Sequence, residues 1–520
     1  MKTLQLLFCL IPVLATIEAA KILLFPIANR SNSRLALMKK IGKMIEERGH
    51  HVSVLVNDHL ASHFDGLHQI VFPTSPYAKT RAEMTKLLLN EDRSFFQLFM
   101  KEQLDNCKNL LAANDTFAKL KWEQFDVVIV DLMDACSRIL VDYLDTPSIV
   151  YSFAGFSDNS DVFAPIPVAY VPSVFGKYTD DMSFFERLKN AFMHFMINQI
   201  AQPNFFKPFE ELKKKLNINT SLSMVDSFKR ASLVACNAHF ALDYPRPLMP
   251  HVQTFGGMFN EPARRLDSDL GSFIDDATDG LVVVSFGSLV DTVDASVVGK
   301  IASALGRLPY KVIWKYSGEL SMSSDIPDNV RVMTWIPQND LLGHKNVKVF
   351  VTHAGISSTF ESVYHGVPVV SIPLFCDQHH NANKLVDKLN MGIKLNSKTF
   401  TSEELYNTII QVINNPIYFN NARLGKERLS DHVASPKAEF LHRVDSLARS
   451  GNVKYLRSKS SDYMSNIRYF LIDILAFVCC ALLLLSILCF LSLKWLLSAF
   501  ITKLSFHLKN SPDTNTEDIN

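Results

Sequence analysis

Cysteine is scarce in this chain, and neither its glycines nor its charges form a familiar nucleotide or nucleic-acid pattern. Eight cysteines in 520 residues exclude a disulfide-stapled miniprotein. Lys and Arg number 53 against 52 Asp and Glu, so there is no basic footprint for a nucleic acid. Neither G-x-G-x-x-G nor G-x-x-x-x-G-K-S/T occurs, which argues against a dinucleotide fingerprint and a P-loop. No C-x-x-C pair is present. Cys9 lies in an N-terminal apolar run, and Cys479, Cys480 and Cys489 lie in a C-terminal one. The scatter of the remaining Cys107, Cys136, Cys236 and Cys376 predicts buried free thiols and no metal centre. What the chain does have is apolar material: 48% hydrophobic residues over a length that suits two or three domains, which excludes a disordered scaffold.

Both ends carry membrane signals. Residues 1–20 read MKTLQLLFCLIPVLATIEAA, one Lys followed by an apolar run too short to cross a bilayer and then small residues, as in a cleavable secretory signal. Residues 474–493 are uncharged and apolar for about the 20 residues that a membrane-crossing helix needs. The last ten residues are polar, unlike a lipid-anchor signal. A signal followed by one stop-transfer helix predicts a lumenal body and a short cytosolic tail. Sequons at Asn29, Asn114 and Asn219 agree with a glycosylated lumenal body.

Between the anchors, β-branched runs alternate with helix-length periodic segments. KILLFPI (21–27), VSVLV (52–56), FDVVIVD (125–131) and PSIVY (147–151) form one series. LVVVSFGS (281–288), KVIWKY (311–316), VRVMTW (330–335), VFVTHAG (349–355) and VVSIPLF (369–375) form a second. Continuous apolar strands separated by helices predict parallel sheets covered on both faces, hence an α/β protein of two doubly wound halves with a cleft between them. The boundaries read as a signal peptide (1–20), a first half (21–255), a second half (256–450), a juxtamembrane segment (451–470), a transmembrane helix (471–493) and a tail (494–520). The Phe- and Met-dense stretch 184–206 either packs in the first half's core, lines an apolar acceptor pocket or rests on a membrane surface.

Without a glycine-rich fingerprint, a phosphorylated ligand can still sit where a strand ends in small residues and a helix N-terminus faces the anion. Ser285-Phe-Gly-Ser288 is one such strand end. His353-Ala-Gly-Ile-Ser-Ser358, leading to Glu361, is the other. His353, Ser288, Ser357 and Ser358 can donate to phosphate oxygens, Gly355 allows close backbone approach, and Glu361 can accept from ribose hydroxyls. Residues 335–378, from Trp335 through His353 to Asp377-Gln378, resemble the donor-binding signature of the animal UDP-glycosyltransferases, the family of the UDP-glucuronosyltransferases. The SFGS stretch, Arg48-Gly49-His50, the signal and the anchor resemble that family in order and spacing.

The resemblance implies two Rossmann-like domains of the GT-B type, no cofactor and no metal, and a UDP-sugar co-substrate whose sugar passes, with inversion, to a small lipophilic acceptor. It implies that Trp335 stacks on uracil, Gln338 contacts the nucleoside, His353 and Ser288 hold the diphosphate, Glu361 holds the ribose, and Asp377 and Gln378 hold the sugar hydroxyls. It further implies residence in the endoplasmic reticulum, with Lys503 and Lys509 in the tail, and a capacity to self-associate. This chain departs from the family at Ala354, Ser357 and Ser358, where His-Gly-Gly and Asn-Gly are usual. The family's orienting Asp matches Asp131. Its base His falls on Arg34, and no histidine lies between Lys21 and Arg48. A guanidinium offers no lone pair for the acceptor's proton. Three readings follow. Arg34 steers an anionic acceptor or pairs with Asp131; Asp131 takes the proton directly; or the chain binds UDP-sugar without appreciable turnover, as a partner or regulator.

Overall fold

The computed structural model describes residues 19–27, 32–74, 81–90, 92, 94–156, 166–287, 295–318, 327–458, 464–469 and 471–509. The signal segment, Asn29 and Ser288 therefore lie outside the described residues. Seven parallel strands form the first sheet: β1 (Lys21–Phe25), β2 (His51–Asn57), β3 (His68–Phe72), β4 (Val127–Asp131), β5 (Ser148–Ser152), β6 (Leu233–Cys236) and β7 (Val252–Thr254). Their spatial order is β3-β2-β1-β4-β5-β6-β7. The second sheet holds β8 (Leu281–Ser285), β9 (Lys311–Lys315), β10 (Val330–Met333), β11 (Val347–Thr352), β12 (Val369–Ser371) and β13 (Gly392–Lys394), in the order β10-β9-β8-β11-β12-β13.

Strand alternation divides each sheet between two apolar layers. Leu23, Phe25, Val128 and Val130 enter one layer, and Ile22, Leu24, Val127 and Ile129 the other. In the second half Leu281 and Val283 face one layer while Val282 and Val284 face its opposite. Burial on both faces is why these strands read as unbroken apolar runs; each such side chain contributes about 1.5–3 kcal/mol on leaving water. Each sheet reverses its winding once, between β1 and β4 and between β8 and β11. Ligands of such folds bind outside the strand carboxyl ends at that reversal.

Two features of the body, 19–457, depart from the sequence reading. The helix Pro436–Ser450, assigned to the second half, packs on the first: Phe440, Leu441, Val444 and Leu447 join the layer formed by β1 and β2. Asp445 on this helix accepts from Arg48 Nη2 at 3.1 Å and meets His50 Nε2 at 2.8 Å. Arg48-Gly49-His50 is thus where the returning chain is fastened. The second departure is a disulfide between Cys107 and Cys136, 29 residues apart, in place of the expected free thiols. Burial brings the two together: Cys107 on the helix Ser94–Ala112 and Cys136 at the start of the helix Cys136–Leu144 share one apolar layer. Replacing both with Ser is expected to lower stability by about 3 kcal/mol through loop-closure entropy, read as a drop in Tm that reductant reproduces in the parent chain. An unchanged Tm would show that the bridge adds no stability.

The second compact unit, 458–520, contains the helix Ile472–Lys509. Its stretch Ile472–Phe506 is long and apolar enough to cross a membrane. The helix runs past the expected end at 493, because Trp495, Leu496, Leu497, Phe500, Ile501, Leu504 and Phe506 prolong the apolar pattern.

Candidate active site

At the end of β11, His353 lies between two glycines. A Cβ on Gly287 or on Gly355 would approach its Nε2 to 2.6 Å, so both positions exclude a side chain. Ala354, between His353 and Gly355, has φ 60°, a left-handed conformation that glycine adopts more readily. Gly355 then caps the helix Ile356–His365 in extended conformation and without a side-chain bond. The first amides of that helix therefore have no side-chain acceptor from the cap, an arrangement suited to an anion. Burial, assisted by the Lys315 ammonium, pushes His353 down to about 4. Among the described residues its buried Nδ1 has no hydrogen-bond partner, which is compatible with a contact to a ligand or a water.

Gln338, at the start of the helix Gln338–Leu342, donates through Nε2 to Glu361 Oε2 at 2.5 Å and to Ser358 Oγ at 3.1 Å. Burial raises the Glu361 carboxyl, while the Gln338 hydrogen bond opposes that shift. Trp335 is 68% exposed although the next residue, Ile336, is anchored in the core. The indole is left as an open platform on which a base can stack. Beyond β12, Asp377 Oδ2 accepts from Asn381 Nδ2 at 2.9 Å. Burial raises its carboxyl, and Arg34 pulls it back. Gln378 uses its carbonyl internally, accepting from the amides of Leu374 at 2.8 Å and Phe375 at 3.2 Å. Its NH2 is the end that can donate to a ligand.

A cavity of about 340 Å³ joins the two halves. The second half contributes His353, Gly355, Ser357, Asp377 and Gln378 to its wall. The first half contributes Arg34 and an apolar lining that includes Phe95, Phe99, Phe153 and Val174. Arg34 Nη1 donates to Asp131 Oδ1 at 2.7 Å. That oxygen also accepts from the Met133 amide at 2.9 Å. Asp131 is fully buried at the end of β4, behind Arg34 and off the cavity wall, and its Oδ2 has no partner among the described residues. Direct proton abstraction by Asp131 does not fit this placement. A larger cavity of about 820 Å³ lies against the helix Asn32–Glu47 and residues 257–261 and 429–437, and holds none of the expected site residues.

The structure therefore gathers Arg34, His353, Gly355, Ser357, Asp377 and Gln378 around one space, with Gln338, Ser358 and Glu361 bonded together beside it. Ser288 lies outside the described residues. Sequence reasoning quoted Gly287 only within Ser285-Phe-Gly-Ser288, without a role of its own, and missed Asn381. The latter was legible in principle, because it stands one helical turn after Asp377.

The family model described as UDP-glucoronosyl and UDP-glucosyl transferase matches residues 20–506. The chain belongs to this UDP-glycosyltransferase family. The rat 2-hydroxyacylsphingosine 1-beta-galactosyltransferase (Rattus norvegicus) is 34% identical over 471 residues, covering 89% of this chain and 85% of the relative. UDP-glucuronosyltransferase 1A8 of the same species is 29% identical over 497 residues, covering 92% and 91%. A UDP-glucosyltransferase from Polygonum tinctorium shares the fold with a TM-score of 0.58 at 16% identity, covering 84% of this chain and all of that one. A single-residue variant of Os79 from O. sativa, solved in complex with UDP, gives 0.57 at 15% identity, covering 82% and 100%.

Membership makes this UDP-glycosyltransferase a user of UDP-sugar donors, and its buried imidazoles give it a pH dependence. Burial lowers His353, His365 and His239 to about 4 and holds His380 well below the ordinary histidine range. Unfolded histidine takes up a proton near pH 6.5, so between about pH 6.5 and pH 4 the unfolded state binds more protons than the folded one. Stability then falls as pH falls through that window. The raised carboxyls of Asp377 and Glu361 act in the opposite sense, starting from the carboxylate range. Tm is expected to decrease from about pH 7.5 to about pH 5.5, and a flat profile would contradict neutral burial of these rings.

Proposed function

We propose that this UDP-glycosyltransferase transfers a hexosyl or uronosyl group, with inversion, to a small lipophilic acceptor that reaches the site already ionised or readily ionised, such as a carboxylic acid or a phenol. The observation that carries this reading is Arg34 on the cavity wall. A cation stands where the family has a base, the aspartate behind it is occupied, and the remaining first-half lining is mainly aromatic and aliphatic. In this reading the guanidinium holds the acceptor anion, whose oxygen attacks C1 of the sugar as the C1–O bond to UDP breaks. His353, the amides after Gly355 and Ser288 receive the charge that develops on the diphosphate. Trp335, Gln338 and Glu361 position the nucleoside, and Asp377 with Gln378 orients the sugar.

A second reading has a specific observation in its favour. Among the described residues, His353 is the one histidine on the cavity wall, and it belongs to the donor cradle. The chain is then a UDP-sugar-binding partner or regulator with little turnover. Measuring UDP release with acid, phenol, amine and alkanol acceptors separates the two. Release with the acid and phenol is expected. Binding of UDP-sugar without release for any acceptor favours the regulator, and failure of every UDP-sugar to raise Tm removes both readings.

The apolar helix Ile472–Phe506 supports a single membrane crossing, and the signal-like N-terminus together with the family resemblance suggests a body lumenal in the endoplasmic reticulum and a cytosolic tail. Asn114 is exposed and Asn219 is half-buried, so Asn114 is the more accessible of the described sequons for glycan attachment.

A further inference from the structure

The helix Phe184–Met196 is inside out. Phe184, Phe185, Leu188, Phe192 and Phe195 are each 56% to 70% exposed. At 100° per residue these five side chains fall within an arc of about 100°, a continuous stripe along one face. The helix's buried residues are polar, Asn190 and His194. Asn190 explains the orientation. Its Nδ2 donates to the carbonyls of Val168 at 2.8 Å and Val171 at 2.9 Å, and its Oδ1 accepts from the Ser173 amide at 2.8 Å. The loop 166–176 therefore fixes which face turns inward, and the apolar face is left outside. Packing of this helix's aromatic stripe in the core, one of the sequence expectations, is thereby overturned; farther on, Phe206 and Phe209 do enter the first half's core.

The helix is tied to the active-site region through its inward face, by the loop that Asn190 pins. The loop pinned by Asn190 goes on to Val174 and Phe175, both on the wall of the 340 Å³ cavity. Phe175 and Phe96, also on that wall, are more than half exposed and mark its rim. Apolar patches larger than on the order of a few hundred Å² rarely face water without a partner. The same chain carries a helix of membrane-crossing length, so a bilayer is the apolar surface this body meets at high local concentration. Exposed Lys189 and Arg187 on the same helix suit the anionic headgroup layer.

We propose that the helix Phe184–Met196 lies in the headgroup and acyl boundary of the bilayer, as a second membrane contact that turns the rim of the acceptor cavity toward the lipid. This rests on the reading of Ile472–Phe506 as a membrane span. A lipophilic acceptor would then pass from the bilayer to Phe96 and Phe175 without crossing bulk water.

The test uses the full chain in phosphatidylcholine and phosphatidylserine vesicles that contain a phospholipid with a photoactivatable diazirine in its acyl chain. Adducts are expected in a peptide covering 183–201 as well as in 472–506. Replacing Phe184, Phe185, Phe192 and Phe195 with Ser is expected to cut labelling of 183–201 by about tenfold while 472–506 stays labelled and Tm does not fall, since these side chains are already exposed. Adducts confined to 472–506 would overturn the docking face and leave the span intact. Adducts in neither region would overturn both. Crosslinks from 183–201 to a second copy of the chain would assign the stripe to dimerisation and overturn the proposal.

Discussion

Replacing Arg34 with His is expected to raise kcat for an alkanol acceptor by roughly 10²–10⁴-fold, the usual contribution of a tuned general base. Arg34 sits near the start of the helix Asn32–Glu47 with its side chain on the cavity wall and its guanidinium 2.7 Å from Asp131. An imidazole at that position can give its Nδ1 proton to Asp131 Oδ1 and leave Nε2 to take the acceptor's proton. Asp131 is already held in place by the Met133 amide, so it needs no rearrangement to play that part. Imidazole is shorter than guanidinium, so the gain depends on the helix allowing an approach of about 1–2 Å, and misplacement on that scale can forfeit about 10²-fold. The signature is a new acidic limb near pH 6.5 in the profile of kcat/KM, with phenol and acid acceptors gaining less than alkanols. R34L is the control. It removes the cation and leaves Asp131 buried without its partner, which costs about 3–5 kcal/mol of stability and supplies no base. If R34H folds, binds donor and still releases no UDP with alkanols, the position is not that of a base.

Lys384→Met is expected to cost about 3–5 kcal/mol of stability, the penalty of stranding one member of a buried ion pair. Lys384 Nζ lies 2.5 Å from Asp243 Oδ1, and both side chains are almost wholly shielded from water. The other carboxylate oxygen accepts from the His239 amide at 2.9 Å. The pair joins the end of the first half to the π-helical turn Lys384–Lys388, just beyond Asp377 and Gln378. Lys384 Nζ also reaches Asn381 Oδ1 at 3.4 Å, and Asn381 in turn bonds Asp377. Loss of the ammonium should therefore lower Tm by roughly 3–5 °C and raise the KM for UDP-sugar. Replacing Asp243 and Lys384 together with Leu and Met should recover much of the stability, because no unpaired charge remains. A double-mutant cycle on thermal unfolding measures the coupling; additive effects would deny that the pair acts as a unit.

Much of the fold was legible because parallel strands buried on both faces must be apolar at every position. LVVVS and VVIVD carry that requirement in their own composition, and the 474–493 stretch carries the length rule of a bilayer in the same way. The candidate cradle was legible as one cluster because its parts are local: His353, Gly355, Ser357, Ser358 and Glu361 occupy one strand end and the helix that follows. The scattered cysteines mislead for the opposite reason. Cys107 and Cys136 meet only because two helices share a buried layer, and no spacing rule announces a pairing across 29 residues.

By itself the sequence determined two α/β halves and membership of the family, since the strands and the signature motif are each written in neighbouring residues. Tertiary structure decided that Arg34 meets Asp131 across 97 positions, that Asp243 meets Lys384 across 141, and that an aromatic stripe faces outward. Periodicity identifies which residues share a face. Only the polar contacts of Asn190 with its neighbouring loop decide which way that face turns.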